Sequence, residues 1–223
     1  MKTNFTTGIP EIDRLTGSKI ENGSFLLAAG NDDEGMFSFL AEIENINERR
    51  AGKEKNESNG CKIVKINSKF LEDLNKLRSL FDNEKKEEKE EERGEFSSIF
   101  IIESISELLS PECYSKEISF EEHEIIHRLR QICSVLKSES ESEQKEKSIV
   151  IGLLHENILT TGTENRIKHI SDSYFRFRME EKGTQFERTL SVYKYKGGSI
   201  GGKILKYNLE DGKIKIETKK RIY

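Results

Sequence analysis

The sequence predicts an α/β fold with a mostly parallel sheet that is extended at one edge by antiparallel strands. Up to about residue 155, short strand-like segments alternate with helical patterns, as they do in doubly wound sheets. After about residue 171, apolar and polar residues alternate in segments separated by glycine-containing turns, which is typical of antiparallel strands. A chain of 223 residues can bury one such core, so we expect a single domain over residues 1–223.

The parallel strands are predicted, in chain order, at residues 24–29, 61–67, 97–102 and 148–154. A helix follows the first strand, because the apolar residues from Met36 to Ile43 recur on one face of a 3.6-residue period. The antiparallel strands are predicted at residues 174–180, 186–195, 203–209 and 213–218. Two insertions interrupt this core, at about residues 82–95 and 138–147. Both are highly charged and bury little apolar surface, so we expect flexible, solvated loops there.

The turn between the first strand and its helix has the frame of a phosphate-binding loop. Gly30 and Gly35 keep the spacing of G-x-x-x-x-G-K-[ST], in which backbone N–H groups cradle phosphates, the Lys neutralises them and the hydroxyl holds Mg²⁺. Met36 stands at the Lys position, and Phe37 stands at the hydroxyl position. The loop therefore has the glycines of a nucleotide site without its cation or its metal-binding oxygen.

The residues before this loop resemble the lead-in of a known family. They read Thr7-Gly8-Ile9-Pro10-Glu11-Ile12-Asp13-Arg14-Leu15-Thr16-Gly17 and then Ile20-Glu21-Asn22-Gly23-Ser24. This pattern is similar to that of the RecA-like P-loop ATPases and, within them, of the KaiC/RadA branch common in archaea. The resemblance covers almost the whole chain. It implies a RecA-like twisted sheet, flanked by helices, with antiparallel strands at its C-terminal edge.

Two further segments resemble catalytic parts of that family, and both depart from its pattern. The segment from Ile99 to Leu109 resembles the Walker B strand, with Glu103 in place of the family's Asp. Ser68 and Lys69 stand where the family carries the glutamates that activate the attacking water. The resemblance therefore implies that the Walker A motif, the Walker B motif and the water-activating position are altered together.

Together these positions form a degenerate nucleotide site consisting of Gly30, Asp32, Asp33, Glu34, Gly35, Met36, Phe37, Ser68, Lys69 and Glu103. Phosphoryl transfer depends on positioning and charge neutralisation, so we expect no ATPase activity and assign no catalytic residue. The loop carboxylates would also repel a polyanion, since two like unit charges 4 Å apart repel by about 1 kcal/mol in water and about 4 kcal/mol at an effective dielectric of 20. No cofactor is therefore predicted, and weak binding of ATP with Mg²⁺ stays open as an alternative.

The predicted function is that of a catalytically inactive RecA/KaiC-like domain, acting as a subunit or regulatory partner in a homo- or hetero-oligomeric assembly. The resemblance implies head-to-tail assembly with itself or with a RecA/KaiC-like paralogue. In active members, ATP lies between one subunit's loop and the basic finger of its neighbour. The segment at residues 190–198 resembles that finger, with basic residues Lys194 and Lys196. We hypothesise that Asp32, Asp33 and Glu34 replace the phosphates and meet the two lysines of an adjacent subunit.

Two other functions remain open, namely a non-hydrolysing ATP-binding switch and a recombinase-paralogue accessory factor in DNA repair. The formal net charge is -4, yet residues 182–223 carry eleven Lys/Arg against four Asp/Glu, a local balance of about +7 that leaves about -11 elsewhere. Nucleic-acid binding is not favoured, because neither a basic whole domain nor an aromatic-basic motif accompanies this charge.

A zinc-peptidase motif also occurs in the chain, as His123-Glu124-Ile125-Ile126-His127 matches H-E-x-x-H. The apolar stripe predicted for this helix is Ile118, Ile125, Ile126, Leu129, Ile132, Cys133 and Leu136. Both histidines point away from that stripe, so the pattern favours surface histidines over a zinc site. His155 follows the predicted strand at 148–154, at the edge where α/β folds bind ligands, and we favour a structural role for it.

The remaining features predict a cytoplasmic protein without a membrane span. No apolar run approaches the roughly 18 residues that a spanning helix needs, and the N-terminal residues lead into the motif at Thr7 without a secretory signal. Cys61, Cys113 and Cys133 are widely spaced and give neither a disulfide framework nor a zinc pattern. We expect reduced thiols and no metal site.

Overall fold

The computed structural model describes residues 6–16, 23–53, 61–66, 97–109, 126–127, 129–131, 134, 147–194 and 202–217. These residues form one eight-stranded sheet with helices packed against it. The helices are α1 Pro10–Thr16, α2 Asp33–Lys53, α3 Ile105–Leu109 and α4 Thr161–Ile170. The strands are β1 Ser24–Gly30, β2 Cys61–Ile66, β3 Ser97–Ile102, β4 Lys147–His155, β5 Ser173–Lys182, β6 Gln185–Lys194, β7 Lys203–Glu210 and β8 Lys213–Ile216. Residues 126, 127, 129–131 and 134 are also helical.

The strand order is β2-β3-β4-β1-β5-β6-β7-β8, and the first five strands in this order run parallel. The last three join β5 through antiparallel pairs, and the hairpins place them at one edge of the sheet. The predicted mixed sheet is therefore confirmed, and strand boundaries differ from the predicted ones by at most two residues. In register, Gly30 at the end of β1 lies between His155 and Phe177. The phosphate-loop frame thus begins at the carboxyl ends of β1 and β4, beside the middle of β5, and the carboxyl ends of parallel strands are where α/β sheets bind ligands.

Apolar residues cover both faces of the parallel part, as burial between two layers requires. All seven residues of β1 are buried. On one face, helix α2 packs its apolar stripe, Met36, Phe39, Leu40 and Ile43, against the sheet, and this stripe is the one predicted. On the other face, α3 and α4 contribute Ile105 and Ile167 to a second core. The loop between β1 and α2 therefore lies between two elements whose apolar residues are buried in the core.

The predicted insertions fall mainly outside the described residues. The segment at 82–95 lies wholly outside them, as does 138–146 of the second segment. Lys147 is the first residue of β4, so the structured core begins one residue earlier than predicted.

A polar cluster fixes the turn that follows β4. The side chain of Glu156 is only 5% exposed there, and it accepts hydrogen bonds from Arg176 Nε (2.9 Å) and Nη2 (2.6 Å), and from Lys168 Nζ (3.0 Å). Its backbone N–H donates to the Gly30 carbonyl at 3.0 Å, which ties the turn to the end of β1. Burial acts to raise the pKa of Glu156, but the hydrogen bonds from Arg176 and Lys168 outweigh it and hold the pKa below its usual value.

Because this carboxylate has a lowered pKa in the fold, it stabilises the fold above the usual pKa of about 4.5, and that contribution is lost as the pH falls through the folded value. We expect Glu156→Gln to lower the free energy of unfolding at pH 7 by about 3 kcal/mol, since Arg176 would lose its buried partner. The difference from wild type should shrink on acidification below pH 4.5, as measured by urea unfolding. Glu180→Gln, at an exposed position on β5, is the matched control and should have little effect at either pH. A constant difference across this range would contradict the assignment.

Candidate functional site

Helix α2 extends into the loop that would hold phosphate. It begins at Asp33, so only Asn31 and Asp32 separate it from β1. The Asp32 side chain caps the helix, because its Oδ1 accepts the Gly35 N–H at 3.2 Å and its carbonyl accepts the Met36 N–H at 3.0 Å. The Asn31 N–H donates to the Phe177 carbonyl at 3.2 Å. Three backbone donors of this loop are thus used within the chain.

The carboxylate of Asp32 is buried, with 1% of the residue exposed, and two side chains from the antiparallel strands meet it. The Tyr207 hydroxyl on β7 donates to Oδ2 at 2.5 Å, and Nε of Arg188 on β6 lies 3.2 Å from the same oxygen. Arg188 also donates through Nη2 to Glu34 at 2.9 Å. Burial, and then the bond to Asp32, raise the pKa of Tyr207 far above its usual range, so its hydroxyl remains a donor.

Packing explains both glycines of the phosphate-loop frame. A Cβ on Gly30 would lie 1.7 Å from the carbonyl oxygen of Phe177, a backbone atom of β5. A Cβ on Gly35 would lie 2.1 Å from the Tyr207 hydroxyl and 2.7 Å from Asp32 Oδ2. Each glycine is therefore required by a close approach within the chain, whether or not a phosphate binds.

The two residues that replace the catalytic pair have opposite environments. Met36, in the first turn of α2, is fully buried in the core between this helix and the sheet. Phe37 is 49% exposed, and its ring centroid lies 6.3 Å from that of His155. Neither side chain offers a cation for a phosphate or a hydroxyl for Mg²⁺, and the loop also contains the buried carboxylate of Asp32.

His155 connects β4 to the first turn of α2. Its Nδ1 lies 2.9 Å from Asp33 Oδ1, and the backbone of His155 both donates to and accepts from the buried Ser106 hydroxyl at 3.0 Å. The expectation of a structural role for His155 agrees with these contacts. The imidazole and the exposed Asp33 carboxylate both lie at the carboxyl edge of the sheet.

Glu103, at the Walker B position, forms an ion pair with Lys65 on the neighbouring strand β2. Its carboxylate accepts from Lys65 Nζ at 2.6 Å, and Lys65 also lies 3.5 Å from Glu44 of α2. The hydrogen bond to Glu103 raises the pKa of Lys65 despite partial desolvation. Lys65 is half-exposed, so this cluster adds little to stability.

The other predicted site residues are described in part or not at all. Ser68, Lys69 and Lys196 lie outside the described residues. Lys194 is the last residue of β6. One part of the intersubunit hypothesis is wrong: Asp32 is buried against its own chain, so it cannot face an adjacent subunit. Asp33 and Glu34 are exposed, with 61% and 74% of their side chains accessible.

Sequence reasoning missed Arg188 and Tyr207, the residues that pair with the loop. The sequence does contain a signal that could have identified Arg188, namely a charged residue at a core-facing position of a strand with alternating apolar residues. Arg188, Leu190 and Val192 lie on the same face of β6, and the last two are in the core. A cation at such a position needs a buried anion nearby. The buried Asp32 provides it.

The described residues give no support to a metal site. Of the H-E-x-x-H motif, His123 and Glu124 lie outside them, whereas His127 is exposed and contacts Gln131 at 3.1 Å. Ile126 and Leu129 are buried, as the predicted stripe requires. Within the described part of the chain, no three His, Cys, Asp or Glu side chains converge on a common point. The helices described here include none long and apolar enough to cross a bilayer.

Comparison with solved structures identifies the fold. The chain is similar to a KaiC-like protein from the hyperthermophilic archaeon Pyrococcus horikoshii, with a TM-score of 0.58 and 14% identity over 97% of this chain and 99% of that one. It is also similar to the flagellar accessory protein FlaH from Methanocaldococcus jannaschii, with a TM-score of 0.53 and 17% identity over 93% of this chain and 95% of that one. No family model and no curated protein matches the sequence. The expected RecA-like fold of the KaiC type is confirmed.

Substitution of Gly30 tests whether the glycine serves packing. We expect Gly30→Ala to lower the free energy of unfolding of the ligand-free protein by at least about 3 kcal/mol, because the new Cβ would collide with the backbone of β5. Gly162→Ala is the matched control, since its Cβ would have no neighbour nearer than 3.8 Å and it lies within α4. Thermal or urea unfolding measures both variants. Wild-type stability for Gly30→Ala would mean that β5 does not contact the loop as described.

Proposed function

We propose that this chain is a noncatalytic RecA/KaiC-like domain that acts as a subunit or regulatory partner in a homo- or hetero-oligomeric assembly. The observation that supports this most directly is the buried Asp32 carboxylate, paired with Tyr207 and Arg188 of its own chain. A phosphate entering the loop would have to displace these contacts and would then approach an uncompensated carboxylate.

The residues available for chemistry lead to the same proposal. Transition-state stabilisation in phosphoryl transfer needs a cation near the transferred group and a bound metal. Met36 is in the core instead, and Glu103 is paired with Lys65. On this basis the domain has no ATPase activity, and its fold provides surfaces rather than a reaction site.

The carboxyl edge supplies the surface that we assign to a neighbouring subunit. It exposes two carboxylates and one aromatic ring: Asp33, Glu34 and Phe37. An exposed ring next to carboxylates suits a partner segment that carries cations, because the charges attract and the ring adds apolar area. The basic residues Lys194 and Lys196 of an adjacent copy, or their counterparts in a paralogue, are the partners that we propose.

A nucleotide titration tests the absence of a working ATP site. We expect ATP with Mg²⁺ to leave the unfolding temperature of the protein unchanged, since the Asn31, Gly35 and Met36 N–H groups are already used within the chain and the loop is acidic. A nucleotide at 100 times its dissociation constant would stabilise the fold by about 2.7 kcal/mol. Sodium sulfate at equal ionic strength is the control for nonspecific salt effects. Saturable stabilisation by ATP, but not by sulfate, would replace this proposal with the non-hydrolysing ATP-binding switch.

Charge reversal tests the proposed joint between subunits. We expect Lys194→Glu/Lys196→Glu to weaken self-association, measured by light scattering at low salt, and Asp33→Lys/Glu34→Lys to do the same. An equimolar mixture of the two variants should recover assembly, because the opposite charges then face each other again. Wild-type assembly should weaken with added salt, as screening acts over about 8 Å at physiological ionic strength.

Lys213→Glu, an exposed position on β8, is the matched control and should assemble like wild type. Undiminished assembly of both double variants at low salt would refute a joint built on these charges. If the wild-type chain is monomeric alone, the same variants are compared for capture by a purified RecA/KaiC-like paralogue.

A further inference from the structure

We propose that the joint between copies of this chain has an apolar centre, in which Phe37 of one copy packs on Tyr193 and Ile204 of the next. This contact depends on the proposed function, since it lies at the joint that we assign to neighbouring subunits. Exposed ion pairs contribute little to stability, so charges alone would give a weak joint. Specific interfaces bury apolar anchors at their centre and leave most charges at the rim.

Large apolar side chains that are exposed occur on both sides of the proposed charged joint. Among the described residues there are five, with exposures from 48% to 65% or slightly more, namely Phe37, Ile158, Phe186, Tyr193 and Ile204. Phe37 follows Asp33 by one helical turn, so both lie on the same side of α2. Tyr193 directly precedes Lys194 at the end of β6. Each half of the joint therefore combines charge with an apolar side chain.

The acidic half holds Phe37 through contacts within its own chain. The His155 ring lies against Phe37, with centroids 6.3 Å apart, and its Nδ1 lies 2.9 Å from Asp33 Oδ1. One imidazole thus contacts both the aromatic ring and the carboxylate. The neighbouring Glu34 carboxylate is exposed as well. This half therefore offers a positioned aromatic ring bordered by two carboxylates, which lowers the entropy cost of binding.

The basic half lies on the same sheet face as α3 and α4, beyond the core that these helices cover. That core ends at Tyr174 of β5, and among the described residues it includes none from β6, β7 or β8. Tyr193 stacks on Tyr174, with ring centroids 5.2 Å apart and an angle of 18° between the planes. Ser191 pairs with Ile204, so Tyr193, two residues further along β6, is a diagonal neighbour of Ile204. Diagonal neighbours on a sheet are within reach of an aromatic side chain, so Tyr193 and Ile204 form one apolar patch.

Cations border this patch. Arg176 lies in the same cross-strand row as Ile204, and Lys206 lies in the next row. In both of their ion pairs the cation is the more exposed partner, with 23% against 5% for Arg176 and Glu156, and 48% against 24% for Lys206 and Glu187. The charge presented around the patch is therefore mainly positive. It complements the acidic half of the joint.

Sedimentation velocity of the full chain at low salt tests this contact with Phe37→Gln and Ile204→Thr. Each should raise the dissociation constant of self-association about thirty-fold, as truncation of a central anchor does. Glutamine suits a helix and threonine suits a strand, so both variants should keep the wild-type unfolding temperature. An equimolar mixture should form dimers with wild-type affinity, because one joint in each pair then contains both Phe37 and Ile204. Longer assemblies should not form in the mixture, since the contact is head-to-tail and the other half of each copy is altered.

Phe186→Thr and Ile158→Thr are the matched controls, because each removes an equally exposed apolar side chain outside both halves. They should assemble like wild type. Equal weakening in these controls would overturn the proposal, since it would show a nonspecific effect of surface apolar area. Failure of the mixture to form dimers would show that Phe37 and Ile204 do not meet across the joint.

The outcomes also separate this contact from the proposed function. Wild-type assembly of both anchor variants, together with weaker assembly of Lys194→Glu/Lys196→Glu, would overturn the apolar centre and leave the charged joint in place. A wild-type chain that stays monomeric at about 1 mM would overturn the contact between copies. A regulatory role with a RecA/KaiC-like paralogue would still stand in that case.

Discussion

The contact on which the carboxyl edge of this domain depends is the buried carboxylate of Asp32. It caps helix α2 through the Gly35 N–H, and it accepts from Tyr207 and pairs with Arg188 of the antiparallel strands. A buried anion is tolerated only with such donors. This single side chain therefore joins helix α2 to strands β6 and β7, so the position of each restricts the other two.

The same principle extends along this edge, where every carboxylate named in the site has a cation or an imidazole from its own chain. Glu34 is paired with Arg188, Asp33 with His155, and Glu103 with Lys65. Carboxylates that would repel a phosphate thus each contact a basic side chain of the same chain. The exposed pairs contribute little to stability and are free to exchange partners, which is what an electrostatic interface requires.

Periodicity predicted most of the fold, because strand and helix periods depend on residues that are near in sequence. The eight strands and the apolar stripe of α2 follow from it. The pairing of Asp32 with Tyr207 could not be predicted in this way, since 175 residues separate them and their meeting depends on the order of strands in the sheet. The loop chemistry was correctly described as acidic. Whether its anions face outward or inward depends on burial, and for Asp32 the sequence hypothesis of an outward orientation was wrong.

The glycines of the loop show that the spacing of a motif does not by itself establish that the loop binds phosphate. In a phosphate-binding loop, glycine lets the backbone approach a ligand. In this chain, Gly30 lets the loop approach the backbone of β5, and Gly35 lets it approach Tyr207. Both uses require the absence of a Cβ, so the spacing of glycines cannot distinguish them. The nearest atoms to a Cβ built on either glycine belong to β5 and Tyr207, so packing within the chain is sufficient to account for both glycines.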